Sequence, residues 1–184
     1  VLSRLLYGSR ISVMVGVASV VIGGALGALF GLLAGLYGGL VDTIISRAID
    51  TFLALPFLIL VLAVIGILGP SLFTIILVLG FTGWATYARV VRGETLAMRE
   101  RDFVGAAQAL GASRLRLAAR HVFPNITASL IVLSTLDVAA TILAESSLSF
   151  LGLGVQPPAV TWGLMVASGR EYLSSAWWLA VFPG

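Results

Sequence analysis

Residues 11–36 read ISVMVGVASVVIGGALGALFGLLAGL, and no charged residue occurs anywhere from residue 11 to residue 41. An α-helix of about 20 apolar residues is long enough to cross the hydrocarbon core of a bilayer. The stretch therefore predicts a membrane-spanning helix. The composition of the whole chain agrees, because 59% of the residues are hydrophobic and only 10% are charged, against about 25% charged in an ordinary soluble domain.

Further apolar stretches predict additional spans. Residues 51–88 also lack charge, but they are too many for one span and are interrupted by Gly69 and Pro70. We expect further spans at about 44–67, 71–90 and 122–145, and the start of a fifth at 172–182. The chain 1–184 is thus predicted to be one all-α integral membrane domain, a polytopic helical bundle with four complete spans and the start of another.

The arginines predict the orientation of these spans. All eleven basic residues are arginine, and cytoplasmic loops of membrane proteins are enriched in Arg and Lys. Because successive spans alternate in direction, Arg4, Arg10 and Arg170 fall on one side. The other eight fall on the opposite side: Arg47, Arg89, Arg92, Arg99, Arg101, Arg114, Arg116 and Arg120. This second side is predicted to be cytoplasmic, with a charged loop at about 89–121. The segment at about 146–171 is then an outer segment.

Five glycines in the first predicted span are spaced four residues apart: Gly23, Gly27, Gly31, Gly35 and Gly39. Four residues advance about 400° around a helix, so these glycines form one slowly drifting stripe. Small residues at this spacing allow the backbone of another helix to approach closely. The alternative is that glycine is simply frequent in membrane helices, since the chain has 21 glycines. We interpret the stripe as a helix-packing surface.

The charged loop has the pattern of two short helices separated by a glycine. Residues 101–120 read RDFVGAAQALGASRLRLAAR, in which Asp102 is placed to cap a first helix, Gly111 to end it and Ser113 to cap a second one. The first helix has an apolar face at i, i+3, i+4 and i+7, made by Phe103, Ala106, Ala107 and Leu110.

Two uses of this loop follow from its physical chemistry. An amphipathic helix with small residues on its exposed side fits a groove on another protein. A surface helix with several arginines also suits anchoring to lipid headgroups. The residues alone leave both alternatives open.

The spacing within the loop resembles the EAA motif of ABC importer permeases. Gly105-Ala106-Ala107 is followed by three residues, Gly111, nine residues and then His121-Val122-Phe123-Pro124. Three further stretches, in the same order along the chain, are similar to the peptide and nickel branch of that family: LSRLLYGSR at 2–10, LSFLGLGVQPP at 148–158 and TWG at 161–163. The resemblance implies the type I ABC importer permease fold. Such permeases have six spans, of which this chain would lack the first and most of the last.

The resemblance also implies partners and a docking site. The EAA loop would dock on a cytoplasmic ATPase through Asp102, Phe103, Gly105, Ala106, Ala107, Leu110, Gly111, Arg114 and Arg116. The complete importer, in a prokaryotic inner membrane, would also contain two ATPase subunits and a second homologous permease subunit. An extracytoplasmic substrate-binding protein would touch residues 146–171. The substrate of the importer would be a peptide, nickel or another small solute. One departure stands out, since the Glu of the motif is replaced by Gly105.

Three polar residues interrupt the fourth predicted span. Asp137, Thr141 and Glu145 lie four residues apart and form one polar stripe. Ionisable groups in a membrane usually face a cavity or a partner, so the stripe is a candidate lining of the translocation path. The alternative is that Glu145 lies at the outer interface and Asp137 bonds a neighbouring helix. Near the second span, Arg47 and Asp50 are placed to form an internal pair.

Several classes of function are disfavoured. Cysteine is absent and histidine occurs once, so we expect no metal site, cofactor or catalytic residue. There is no GxxxxGK[ST] phosphate loop, so ATP would be hydrolysed on another chain. An intramembrane hydrolase lacks support because no GxSxG elbow occurs. An ion-coupled secondary transporter also lacks support, because no inverted repeat is visible. The basic residues are interpreted as topology signals, with no nucleic-acid partner expected.

Overall fold

The computed structural model describes residues 2–156 and 158–184; Pro157, part of the stretch similar to peptide permeases, lies outside them. The described residues form helices, turns and irregular segments without a β-strand, so the all-α prediction is confirmed. The helices are α1 (Leu2–Tyr37), α2 (Gly39–Ala54), α3 (Phe57–Leu68), α4 (Leu72–Arg99), α5 (Asp102–Ala109), α6 (Arg114–Leu117), α7 (Phe123–Phe150), α8 (Trp162–Gly169), α9 (Leu173–Ala176) and α10 (Trp178–Val181). A π-helical turn at Ala118–Val122 joins α6 to α7, and a 3₁₀ turn at Arg170–Tyr172 follows α8.

Three of the described helices are long and apolar enough to cross a membrane: Leu2–Tyr37, Leu72–Arg99 and the continuous helix Arg114–Phe150. A fourth span is counted if α2 and α3 are taken as one broken span. Only the start of a fifth span was predicted, at 172–182. Residues 172–182 contain only the short helices α9 and α10 after the 3₁₀ turn.

Proline and glycine explain where the helices are interrupted. The second predicted span, 44–67, is broken at its proline: α2 ends at Ala54 and Leu55 is extended, with φ −81° and ψ 132°. A residue that precedes proline is driven out of the helical region, and Pro56 has no N–H to continue the ladder. The predicted break at 68–71 is confirmed: Gly69 has φ +82°, and the Ser71 hydroxyl accepts a hydrogen bond of 3.1 Å from the backbone N–H of Thr74.

The boundary of the charged loop also differs from the prediction. The helix α4 continues to Arg99, so the backbone is still helical where the loop was expected to begin, at residue 89. Arg89 and Arg92, on this part of α4, pair with carboxylates of α2, as described below. The irregular part of the segment is confined to the connections around α5 and α6.

The chain packs as two compact units. The first comprises Val1–Val21, Leu58–Gly80 and Leu136–Gly184, and the second comprises Ile22–Phe57 and Phe81–Thr135. The first unit has one core of fully or nearly buried side chains: Val15, Val61, Ile65, Ile75, Val78, Leu79, Leu148 and Val155. In the second unit, aromatic rings of Phe30, Phe52 and Trp84 meet edge to face at centroid distances of 5.2 and 5.3 Å.

The glycine stripe of α1 lies against α4 in the second unit. A Cβ atom on Gly27 would lie 2.3 Å from the Cβ of Tyr87, and one on Gly35 would lie 2.5 Å from the Cβ of Thr95. These distances are too short for any side chain, so the two backbones are in van der Waals contact. Because residue numbers rise together along the contact, α1 and α4 run in the same direction. The sequence analysis predicts the same direction for the first and third spans, because successive spans alternate in direction.

Gly23 and Gly39 extend the sequence stripe at its two ends. Gly23 is buried, and its neighbour Gly24 would place a Cβ 3.7 Å from the ring of Tyr87. Gly39 differs, because α1 ends at Tyr37 and Gly39 starts α2 with φ +54° and no atom within 4 Å of its Cβ position. Gly39 therefore belongs to the turn and is outside the α1–α4 contact.

Replacing Gly31 by alanine is expected to destabilise the protein. The new Cβ would lie 2.7 Å from both the carbonyl oxygen of Ala88 and the Cβ of Val91, so the two helices must separate. We expect the free energy of unfolding to fall by about 1–3 kcal/mol, the usual cost of overpacking. The measurement is denaturant-induced unfolding of the full-length chain in mixed micelles.

Gly93→Ala is the matched control. Gly93 lies on α4, and nothing is within 4 Å of its Cβ position. Alanine there should raise stability by about 0.5–1 kcal/mol through helix propensity alone. Equal effects at the two positions would contradict the close helix contact.

Candidate functional site

The helix α5 presents its predicted apolar face away from the rest of the chain. Phe103 is 46% exposed and Leu110 is 89% exposed, whereas Val104 is the buried residue of this helix. The next turn adds Leu115, which is 79% exposed. We call Phe103, Ala106, Leu110 and Leu115 the apolar ridge. Such exposed apolar groups on a polar segment are typical of a surface that meets a partner.

Glycine and serine define the turn after α5 as the sequence predicts. Gly111 has φ +83°, a left-handed conformation that follows the helix end and favours glycine. The backbone N–H of Ala112 donates to the carbonyl oxygen of Ala107 over 3.0 Å. The Ser113 hydroxyl caps α6 by accepting from the N–H of Arg116 at 3.4 Å. The predicted helix end at Gly111 and the predicted N-cap at Ser113 are therefore confirmed.

The predicted N-cap of α5 is wrong by one residue. Arg101 holds the N-cap position with extended angles, φ −77° and ψ 138°, and makes no side-chain cap. Asp102 lies in the first turn instead. An acidic group there still interacts favourably with the helix dipole, worth about 0.3–1 kcal/mol at an exposed site. Asp102 therefore supports the helix start electrostatically, without a capping hydrogen bond.

Contacts with the ends of α1 and α4 hold the α5–α6 segment in place. Arg114 stacks its guanidinium over the ring of Tyr37 at 4.9 Å from the centroid, and Arg99 donates to the carbonyl oxygen of Gly35 over 2.7 Å. The ring of Phe103 lies 6.2 Å from that of His121. The segment is therefore fixed to the second unit by polar and aromatic contacts, while Ala106, Leu110 and Leu115 of its apolar ridge stay exposed.

Gly105 occupies an open position on α5. It is exposed, and nothing lies within 4 Å of where a Cβ would be. No steric constraint explains why this position lacks the motif's Glu side chain, because the structure has space for one.

Two ion pairs link α2 to α4 in the second unit. Arg92 binds Asp42 through two hydrogen bonds, from Nε to Oδ1 and from Nη2 to Oδ2, the latter at 2.7 Å. Arg89 pairs with Asp50 at 2.5 Å. The expected pair of Arg47 with Asp50 is therefore wrong. No spacing rule within one helix could have found these pairs, because each joins a residue of α2 to a residue of α4.

The three residues of the polar stripe on α7 lie in different environments. Asp137 and Thr141 are half-buried, whereas Glu145 is 0% exposed. The Ser149 hydroxyl donates to Glu145 Oε1 over 2.7 Å and lies 3.5 Å from the Thr161 hydroxyl. The other oxygen, Oε2, is buried with no hydrogen-bond partner among the described residues. Glu145 thus faces the interior of the first unit in this conformation.

Close packing seals the surroundings of Glu145. A Cβ on Gly154 would lie 1.8 Å from Ser149 Oγ, and one on Gly163 would lie 2.5 Å from the Cα of Ser146. Thr161 also caps α8 by accepting from the N–H of Leu164 at 3.2 Å. The chain after α7 therefore folds back tightly onto the end of that helix, and Glu145, Ser149 and Thr161 form the polar centre of this fold.

A large cavity in the first unit is apolar. It has a volume of about 1000 Å³ and is bordered by Trp162, by Ile142 and Phe150 of α7, and by the terminal residues 182–184. Trp162 is fixed beside it, since its Nε1 donates to the carbonyl oxygen of Leu5 over 3.1 Å and its backbone N–H to the Ser12 hydroxyl over 3.2 Å. The sequence reasoning did not single out this cavity.

The sequence of the chain shows its family. Residues 27–183 match the family described as the binding-protein-dependent transport system inner membrane component. The chain belongs to this family. Its members are transport components, which agrees with the expectation that the chain is not an enzyme.

Curated relatives in the family are named as peptide permeases. The chain is 46% identical over 184 residues to the dipeptide transport system permease protein DppC of Escherichia coli K12, covering 100% of this chain and 61% of the relative. It is 43% identical over 183 residues to the di/tripeptide transport system permease protein DppC of Pseudomonas aeruginosa, covering 100% and 60%. The chain thus spans about three fifths of the length of the curated relatives it matches.

A solved structure shows the same fold. The chain is similar to a chain of the MetNI methionine ABC transporter in an inward facing conformation, with a TM-score of 0.76 and 18% identity. The match covers 98% of this chain and 86% of that chain. The predicted helical bundle of the ABC importer permease kind is therefore confirmed at the level of fold.

Glu145 gives a test of the sealed polar centre. Glu145→Gln keeps the hydrogen bond from Ser149 and removes a buried carboxylate, so stability should be unchanged or higher. Glu145→Ala leaves a cavity and strands the Ser149 hydroxyl, which should cost about 2–5 kcal/mol in the free energy of unfolding. Unfolding in mixed micelles measures both, and equal loss in the two variants would contradict the observed arrangement.

Proposed function

We propose that this chain belongs to a permease subunit that imports peptides, driven by ATP hydrolysis on a cytoplasmic partner. The observation that carries the proposal is the apolar ridge of α5, which is exposed on a loop that is otherwise charged. The names of the relatives support peptides as substrate. None of the relatives described above carries nickel in its name, so nickel is not part of the proposal.

In this proposal the apolar ridge inserts into a groove on an ABC ATPase subunit. Leu110, Phe103 and Leu115 supply the apolar anchors, and Ala106 and Ala107 allow the partner surface to approach the helix closely. Gly111 and Ser113 fix the turn that positions the ridge. Arg116 lies at its edge, where it favours an acidic rim on the partner.

The remaining subunits follow from the family. A second homologous permease would complete the translocation path, two ATPase subunits would dock on the two permeases, and an extracytoplasmic binding protein would deliver the peptide to the segment 146–171. Of the polar stripe, Asp137 and Thr141 are the half-buried members and the better candidates for the path. Glu145 would reach the path only if the fold around Ser149 opened. The site of action would be the prokaryotic inner membrane.

Leu110→Ser tests the docking surface. The variant removes the most exposed anchor of the ridge without touching the core, so folding should be unchanged. Loss of one interface anchor costs about 1–2 kcal/mol, so we expect the affinity for the ATPase subunit to fall about 5- to 30-fold. The measurement is binding of the purified ATPase to the full-length permease in nanodiscs.

Two further variants control this experiment. Leu151→Ser removes another exposed leucine, 57% exposed, on the predicted outer side, and it should leave ATPase binding unchanged. Gly105→Glu restores the family's acid in open space and should keep or strengthen binding. Wild-type affinity in Leu110→Ser would contradict docking through the ridge, and loss of binding in Gly105→Glu would show that the partner groove has changed to match glycine.

Peptide uptake separates the importer from an ion-coupled transporter. Proteoliposomes with the full-length permease pair, the ATPase and the binding protein should accumulate labelled dipeptide only when ATP is inside with the ATPase subunits. An ATPase that cannot hydrolyse ATP should abolish uptake, and collapse of the ion gradient should leave it intact. Uptake that persists with the inactive ATPase would overturn the proposal.

A further inference from the structure

A small polar cavity lies on the inner side of the α5–α6 segment. It has a volume of about 290 Å³ and is lined by Leu36, Arg99, Gln108, Ala112, Arg114 and Leu117. All of these residues belong to the second unit. The apolar ridge proposed above for docking does not include this cavity: Gln108 lies one helical turn after the buried Val104, which is the face of α5 away from Leu110. Arg114, which the resemblance assigned to the docking site, lines this cavity and is not part of the apolar ridge.

The two arginines in the cavity differ from those on the adjacent part of α4. Arg89 and Arg92 are neutralised by Asp50 and Asp42. Arg99 and Arg114 have no carboxylate within 4 Å among the described residues. Arg99 uses one donor on the carbonyl oxygen of Gly35, and Arg114 stacks on Tyr37. Two positive charges therefore line one cavity with most of their hydrogen-bond donors unused.

The chemistry of the lining favours a phosphate group. A guanidinium presents a planar set of donors that matches the oxygens of phosphate, and such charge-assisted bonds are stronger than neutral ones. The amide of Gln108 adds a neutral donor, and none of the lining residues carries a carboxylate that would repel an anion. Stacking on Tyr37 and bonding to Gly35 hold the two arginines in place before a ligand arrives.

The position of the cavity indicates which phosphates can reach it. The α1 end of the cavity is Leu36, the last residue of the apolar stretch 11–36, and Tyr37 follows it. Aromatic residues and arginines at the end of a span mark the level of the lipid headgroups. Clustered arginines at that level on the cytoplasmic side attract anionic phospholipids. A phospholipid headgroup can therefore reach the cavity while its acyl chains stay in the bilayer.

We propose that this cavity, between Arg99, Gln108 and Arg114, binds the phosphate group of an anionic phospholipid and so ties the α5–α6 segment to the membrane surface. The proposal does not depend on the transported substrate. It assigns the inner face of the segment to lipid, and the apolar ridge on the outer face stays available for a protein. Free phosphate has the same recognition chemistry, and the experiment distinguishes the two sources.

The test uses the full-length chain in nanodiscs of phosphatidylcholine with a minority of phosphatidylglycerol. After release into detergent, native mass spectrometry counts the phosphatidylglycerol that stays bound. Arg114→Gln should lower the retained phosphatidylglycerol at least about tenfold relative to wild type. Arg120→Gln is the matched control, since it removes the same charge at an exposed position outside the cavity lining, and it should retain the wild-type amount.

A second arm uses phosphatidylcholine alone and titrates inorganic phosphate against chloride while thermal stability is measured. A rise in stability that Arg114→Gln abolishes would support the cavity with free phosphate as its source. Arg99→Gln is a supporting variant, but it also removes the bond to Gly35, so Arg114→Gln alone decides if Arg99→Gln does not fold. Equal loss in Arg114→Gln and Arg120→Gln, or no loss and no phosphate effect, would overturn the proposal.

Discussion

The contact between the backbones of α1 and α4 is the constraint on which the second unit depends. At Gly27, Gly31 and Gly35 there is no space for a Cβ atom, so the distance between the two helices is set by backbone atoms. Small residues permit this approach in a membrane, where dispersion and not the exclusion of water drives helix association. Because the two helices run in the same direction, their C-terminal ends lie side by side and form the base on which α5 and α6 rest.

Charge distribution on α4 follows from the same contact. Once α4 is fixed against α1, its successive arginines face different surroundings: Arg89 and Arg92 meet aspartates of α2, and Arg99 meets the last turn of α1. Pairing lowers the cost of holding charge near the membrane. The positive charge that remains is therefore concentrated at the α5–α6 segment, where no described carboxylate lies within 4 Å of Arg99 or Arg114.

Sequence reasoning predicted the parts of the structure that are coded locally. The length of the apolar stretches predicted α1 and the core of α4. Gly69-Pro70 predicted a break between helices, and Gly111 with Ser113 predicted the turn after α5. Each of these features depends on one residue type and its neighbours in the sequence. Sequence reasoning failed where an ion pair joins residues that are far apart in the sequence. Asp50 had a near candidate in Arg47, but only the packing of α2 on α4 brings Arg89 to it.

Burial of Glu145 shows the same limit for a candidate site. Periodicity placed Asp137, Thr141 and Glu145 on one face of α7, and that is geometrically correct for an isolated helix. The exposure of each residue is decided by a segment that follows in sequence, since Gly154 and Gly163 allow the chain to fold onto Ser149 and close over the carboxylate. No spacing rule within α7 contains this information. A polar stripe can therefore indicate which residues share a face, but not which of them a substrate can reach.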